Sequence, residues 1–267
     1  DEAVSLALSL NPGLGSQRAA KGVAEAQLLA AGLYPDPELD AKWISRGDGT
    51  VLEGSLLQAL SLAGERGLRK QKARLRIEEV HLELASVEWR LVQEVRQAFS
   101  DLLASEEAAR IAQADLDLRL KVASLIQTRQ ELGAATLLEA NLSALDAAQQ
   151  RRVLLSEGIR RDLARQELNR LLGVGPGTSY PLQAAADPWA IRKLPADAGW
   201  LEELALTRRP DLAAARMAYE QSEKSLQLAT RGQYPRLRIG PAYGRDEGES
   251  GLGVGASVEI PMWNRNR

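Results

Sequence analysis

Few side chains in this 267-residue sequence are placed to do chemistry. His81 is the sole histidine, and Glu78 stands three residues before it, close enough to share one face of a helix. A tight metal site would need a second His or a Cys, and the chain has no cysteine. A solvated surface histidine is the reading these residues support. Gly251-x-Gly-x-Gly255 has the glycine spacing of a phosphate loop, but no Lys-Ser/Thr or acidic partner follows at the required distance. Small residues facing an enclosed space or a neighbouring backbone account for it better. Asn141-Leu142-Ser143 fits a glycosylation sequon yet falls in a predicted helix. The many Glu and Arg residues between 68 and 172 match i, i+4 pairing on an exposed helix. No nucleophile, base and orienting residue stand out as a set. The reading is therefore no enzyme, no catalytic residue, no metal site and no cofactor.

Composition narrows the architecture. A single Phe, with 45% hydrophobic and 26% charged residues, favours Ala/Leu-rich helices lying side by side over a large globular core. A net charge of −2 gives no electrostatic footprint for nucleic acid. No stretch approaches the ~18 apolar residues that a membrane-spanning helix requires. Asp1-Glu2 opens directly into an amphipathic pattern, so a mature or trimmed product is expected.

Two copies of one motif organise the chain. Leu6-Ala7-Leu8 and Asn11-Pro12-Gly13-Leu14 return as Leu204-Ala205-Leu206 and Arg209-Pro210-Asp211-Leu212, and Gly32-Leu33-Tyr34-Pro35 returns as Gly232-Gln233-Tyr234-Pro235. Each copy predicts a helix, a Tyr-Pro break and a pair of strands. In the first, residues 1–33 form the helix, with Pro12-Gly13 a break near its start, and residues 34–67 the strand pair. Prolines 35 and 37 cannot continue a helix. Leu39, Ala41 and Trp43 then alternate with Glu38, Asp40 and Lys42, Arg46 to Gly49 reads as a turn, and a less regular return strand is expected around 55–63. In the second copy residues 200–232 form the helix and 233–267 the strand pair. There Leu237, Ile239 and Tyr243 alternate with Arg236, Arg238 and Ala242, and Leu252, Val254, Ala256, Val258 and Ile260 alternate with Gly251, Gly253, Gly255, Ser257 and Glu259. That alternation suits a transmembrane barrel strand, and equally a half-buried strand of a soluble sandwich.

Between the copies, residues 68–172 predict a coiled-coil hairpin whose tip lies near 133. Ile77, Val80, Leu84, Val87 and Leu91 step by three and four in a proline-free run of about 65 residues, on the order of 95 Å as helix. Gly133 to Thr136 is the reversal, with Thr136 able to cap a shorter second arm carrying Leu138, Leu142, Leu145, Leu155, Ile159 and Leu163. Residues 173–199, rich in Gly, Pro and Ala, read as an irregular belt.

This order of elements resembles the TolC-like outer-membrane efflux factors. The local sequences are similar to the CzcC-type heavy-metal branch. Tyr34-Pro35-Asp36-Pro37-Glu38-Leu39 resembles that branch's Pro-Asn-Pro-Glu-Leu, with Asp36 where Asn is usual. Leu62-Ala63-Gly64-Glu65-Arg66 is similar to its Leu-Gly-Gly-Lys-Arg, with Ala63 and Glu65 as departures. Arg209-Pro210-Asp211-Leu212 matches its Arg-Pro-Asp-Leu, and Ile260 to Asn266 looks like its Ile-Pro-Leu-Phe-Asn-Arg-Asn. The fold class implied is mainly α with β-strands: a long antiparallel hairpin of a periplasmic α-barrel plus two strand pairs of a trimeric outer-membrane β-barrel. The family continues past the fourth strand with a second long hairpin, so the resemblance implies a fragment.

Function follows from the same resemblance. It implies a passive exit duct of a tripartite pump in the Gram-negative outer membrane, reaching into the periplasm. Implied partners are a periplasmic adaptor (membrane fusion) protein, an inner-membrane RND transporter, outer-membrane lipid and two further copies in a homotrimer, with no nucleic acid. Divalent heavy-metal cations are the implied cargo; drugs or organic solutes are the alternative. Arg129, Gly133, Thr136 and Leu137 resemble the family's tip and are the expected adaptor-docking residues, although Gly133 would also serve simply to make the turn. Glu38, Asp40, Lys42, Arg236, Arg238 and Glu259 are expected to face the aqueous lumen. A periplasmic adaptor and a soluble coiled-coil scaffold are the rivals. An adaptor's hairpin is flanked by lipoyl-like halves, and a scaffold leaves the duplicated Tyr-Pro breaks without a reason.

Overall fold

The computed structural model describes residues 2–46, 49–60, 64–178, 180–181, 197–246 and 249–259. The turn residues Gly47 and Asp48, the motif residues Leu62 and Ala63, most of the belt expected over 173–199, and the segment Ile260 to Arg267 lie outside them. Among the described residues the order is α1 (Glu2–Leu10), α2 (Pro12–Gly32), β1 (Glu38–Arg46), β2 (Gly49–Leu60), α3 (Glu65–Glu131), α4 (Leu137–Leu172), α5 (Ala198–Arg208), α6 (Pro210–Arg231), β3 (Arg236–Asp246) and β4 (Glu249–Glu259). The duplicated prolines do the same work in both copies. Pro12 and Pro210 each open a helix at its first position, where the missing N–H is not needed. The stretch read as one helix over 200–232 is therefore two, divided at Arg209. The chain forms two compact units, residues 1–16 with 87–198 and residues 17–86 with 199–267.

In the first unit α3 and α4 face each other along a seam that mixes leucines with small residues. On α3 the buried positions Leu91, Val95, Ala98, Leu102, Ser105, Ala109, Ala112 and Leu116 step by four and three without a fault, the heptad of a coiled coil. Opposite them α4 buries Ala147, Leu168 and Leu171. Gln150 donates from Nε2 to the Ala112 carbonyl at 3.3 Å, Arg165 pairs with Glu106 at 2.6 Å, and Arg119 pairs with Asp146. The large residues carried by the second arm, Leu138, Leu142, Leu145, Leu155, Ile159 and Leu163, lie on the outside, each more than half exposed. Gly173 closes α4 at φ 74°, and a Cβ there would sit 2.6 Å from the Leu10 carbonyl oxygen. Asn11 ties the same corner by donating to the Leu171 carbonyl at 2.9 Å. Asn169, fully buried, donates to the Thr178 carbonyl at 3.1 Å and accepts from the Tyr180 hydroxyl at 2.7 Å.

The second unit is a four-stranded antiparallel sheet in the order β1-β2-β3-β4, joined by helical segments. β2 begins at Gly49, six residues before the expected return strand, because it pairs with β1 through every position from Gly49–Arg46 to Leu57–Glu38. Its alternation is irregular, with Val51 and Leu57 on one face among Glu53 and Ser55, so the partner strand sets its start. Gly240 admits the tight crossing of β2 and β3, since a Cβ there would meet the Leu56 carbonyl oxygen at 1.8 Å.

Candidate functional site

Antiparallel register decides which side chains share a face. Glu38 sits opposite Leu57, Asp40 opposite Ser55 and Lys42 opposite Glu53; Arg236 opposes Glu259 and Arg238 opposes Ser257. Carried through the β2–β3 pairs, which join Ala59 to Arg238 and Ser55 to Ala242, this register gathers Glu38, Asp40, Lys42, Arg236, Arg238 and Glu259 onto one face. Leu39, Trp43, Leu52, Leu56, Ile239, Tyr243, Leu252, Val254 and Val258 share the other.

Ion pairs run across the charged face. Lys42 meets Glu53 at 3.4 Å, and Arg238 of β3 reaches over Ala59 of β2 to Glu38 of β1 at 2.8 Å while lying 3.7 Å from Glu259 of β4. Glu38 and Arg238 occupy equivalent positions in the two copies, so the duplication has acquired opposite charges that now bond to each other. Leu57 of β2 comes within contact distance of Gly255 of β4 on this face, with β3 between them, and is itself buried. The sheet therefore curls toward its charged face. The apolar face is convex and uncovered, with Leu252 88% exposed and Leu39, Trp43 and Val254 about three-quarters exposed. A soluble curved sheet does the opposite, turning its apolar side inward.

The strands have 9, 12, 11 and 11 residues, the length a tilted strand needs to cross hydrocarbon. Each Tyr-Pro break sets an exposed Tyr, Tyr34 or Tyr234, nine residues before an aromatic on the apolar face, Trp43 or Tyr243. Nine residues at ~3.3 Å, tilted ~40°, span roughly 23 Å, close to the apolar band of a membrane barrel.

At the hairpin tip, Gly133 holds φ 72° with nothing within 4 Å of where a Cβ would stand. Backbone conformation alone requires the glycine there. Thr136 caps α4 in a capping box, accepting at Oγ1 from the Glu139 N–H at 3.2 Å while Glu139 accepts from the Thr136 N–H at 2.7 Å. Those bonds hold the Glu139 carboxyl below its ordinary pKa. Arg129 donates to the Ala134 carbonyl at 3.3 Å, within the tip itself. Leu132, Leu137 and Leu138 project outward around it. The tip residues read from sequence thus come together, and the exposed Leu132 joins them. His81 is exposed, and no cluster of three or more potential metal ligands exists among the described residues.

No protein-family model matches the chain. The pyoverdine export outer membrane protein OpmQ of Pseudomonas putida is 29% identical over 266 residues, covering 91% of this chain and 56% of its own length. OpmQ of Pseudomonas aeruginosa is 28% identical over 191 residues, 68% of this chain and 40% of its own length. The cobalt-zinc-cadmium resistance protein CzcC of Cupriavidus metallidurans is 23% identical over 270 residues, all of this chain and 64% of its own length. The chain spans about half the length of the curated relatives it matches. Among solved structures, CusC superposes with a TM-score of 0.78 at 17% identity, over 99% of this chain and 66% of that one. The Campylobacter jejuni CmeC outer membrane channel gives 0.79 at 13% identity, over 99% and 62%. By sequence and by fold, the chain is a relative of the TolC-like outer-membrane efflux factors, the CzcC-type heavy-metal branch among them.

Proposed function

We propose that this chain forms part of the outer-membrane exit duct of a tripartite efflux pump, passive and without chemistry of its own. The observation that carries the reading is the inverted sheet, charged on its concave face and bare apolar on its convex face. Closing such a sheet with two further copies removes the open edges of β1 and β4, surrounds water with Glu38, Asp40, Lys42, Arg236, Arg238 and Glu259, and gives the convex face to outer-membrane lipid. The helical hairpin then reaches into the periplasm, and Arg129, Gly133, Thr136 and Leu137 meet a periplasmic adaptor that links the duct to an inner-membrane RND transporter. The two OpmQ relatives favour an organic solute as cargo; the heavy-metal reading rests on the CzcC relative alone. A duct needs no tight metal site in either case, since conduction fails when the cargo cannot leave.

Spin labels in the full-length protein in bilayers test the barrel. Labels at Arg236 and Glu259 meet a water-soluble quencher and labels at Val254 and Val258 meet oxygen dissolved in lipid; the reverse pattern removes the proposal. For the tip, Gly133→Trp in the full-length protein abolishes adaptor crosslinking and export, and unchanged crosslinking refutes docking at this turn.

A further inference from the structure

The two hairpins of the sheet are copies in register as well as in sequence. A shift of 200 in residue number carries the β1–β2 pairs Glu38–Leu57 and Trp43–Leu52 onto the β3–β4 pairs Arg238–Ser257 and Tyr243–Leu252. One junction joins the hairpins, β2 against β3, with Gly54 opposite Tyr243, Ser55 opposite Ala242, Gln58 opposite Ile239 and Ala59 opposite Arg238. β4 is the copy of β2, β1 is the copy of β3, and these two copies are the edges of the sheet. The edges run nine and eleven residues, and β4 holds neither lysine nor proline. Such an edge is a template for another strand.

We propose that β4 of one copy of this chain pairs with β1 of the next in the register of the β2–β3 junction. The inference rests on the duct reading and adds which residues meet at the seam. The same shift sets Val258 opposite the partner's Leu39, Val254 opposite the partner's Trp43, Gly255 opposite the partner's Lys42 and Glu259 opposite the partner's Glu38. Each pair joins residues of the same face. Val254 and Trp43, both about three-quarters exposed in the single chain, make an aromatic–β-branched contact of the kind that stabilises neighbouring strands. Glu259 against the partner's Glu38 is a like-charged pair, which opposes pairing. Each carboxylate already faces a guanidinium of its own copy, since Arg236 is opposite Glu259 and Arg238 is 2.8 Å from Glu38. The β2–β3 junction is tightest where Gly240 nears the Leu56 carbonyl oxygen. Asp40 takes that place on β1, and its Cβ holds the edges apart there, so the pairs on either side carry the register.

Disulfide trapping tests the seam, because these 267 residues contain no cysteine. The full-length protein carrying Trp43→Cys and Val254→Cys is oxidised in bilayers and separated without reductant. β1 and β4 of one chain stand three strand spacings apart, about 14 Å, beyond the reach of a disulfide, so any bond joins two copies. A covalent trimer forms, at least tenfold more than when Val254→Cys is combined with Ala41→Cys or Ser45→Cys, the registers two residues away. Leu39→Cys with Val258→Cys reads the same register if loss of Trp43 hinders assembly. Equal or greater trapping in a shifted pair, or none in either in-register pair, overturns the proposal. The labelling test stands apart: lipid at Val254 with a shifted or absent crosslink keeps the duct and removes the register, while water at Val254 removes the duct and the seam with it.

Discussion

Val254 and Gly253 are neighbours in the chain on opposite faces of β4, and an arginine placed at each separates the membrane barrel from its soluble rival. Val254 is at the centre of the eleven-residue β4, opposite Pro241, and 76% exposed. With hydrocarbon against that face near its midplane, Val254→Arg costs about 2–4 kcal/mol, a factor of about 30–900 in the folding equilibrium. With water there, an exposed substitution stays within ~0.5 kcal/mol. Gly253 faces the charged side, with nothing within 4 Å of an added Cβ, so Gly253→Arg is near neutral in both cases. The assay is guanidinium unfolding of the full-length protein in phospholipid vesicles. For a slope of ~4 kcal/mol/M the Val254→Arg midpoint falls by about 0.5–1 M while that of Gly253→Arg holds. Equal shifts in the two variants, or a larger shift for Gly253→Arg, refute the assignment of faces.

Leu102 is fully buried between the hairpin helices, and Leu102→Ala costs about 2–5 kcal/mol in thermal or denaturant unfolding. Ile159→Ala, on the outer stripe, leaves the stability of the hairpin within ~0.5 kcal/mol and weakens assembly of the proposed trimer, read by crosslinking of the full-length protein. Thr136→Ala removes the cap of α4 at a cost of about 1 kcal/mol at neutral pH. Because the bonds to Thr136 depress the folded pKa of Glu139, the stabilisation is complete above the usual carboxylate range and fades as pH falls through the lowered folded value. The difference between Thr136→Ala and the unmodified protein accordingly narrows in acid, followed by circular dichroism, and a difference independent of pH argues against the capping box. Gly240→Ala forces Leu56 and β3 apart, so the sheet fails to form and limited proteolysis cuts β2.

Local chemistry was enough to read much of this chain. Prolines 12, 35 and 235 mark where helices stop, and the period-two alternation of β1, β3 and β4 follows from the pleat alone, so the duplicated helix-to-strand units and the hairpin turn at Gly133 were legible in one dimension, although the division of the second helix at Pro210 was not. Other features depend on partners distant in sequence. The start of β2 is fixed by pairing with β1, and its own pattern did not show it. Which stripe of α4 turns inward, Ala147 and Leu168 rather than Leu155 and Ile159, depends on the helix it meets. The pairing of Glu38 with Arg238, two hundred positions apart, arises only when β1, β2 and β3 lie side by side. Alternation marked two unlike faces from the start; curvature, a property of the paired sheet, decided that the charged one is concave.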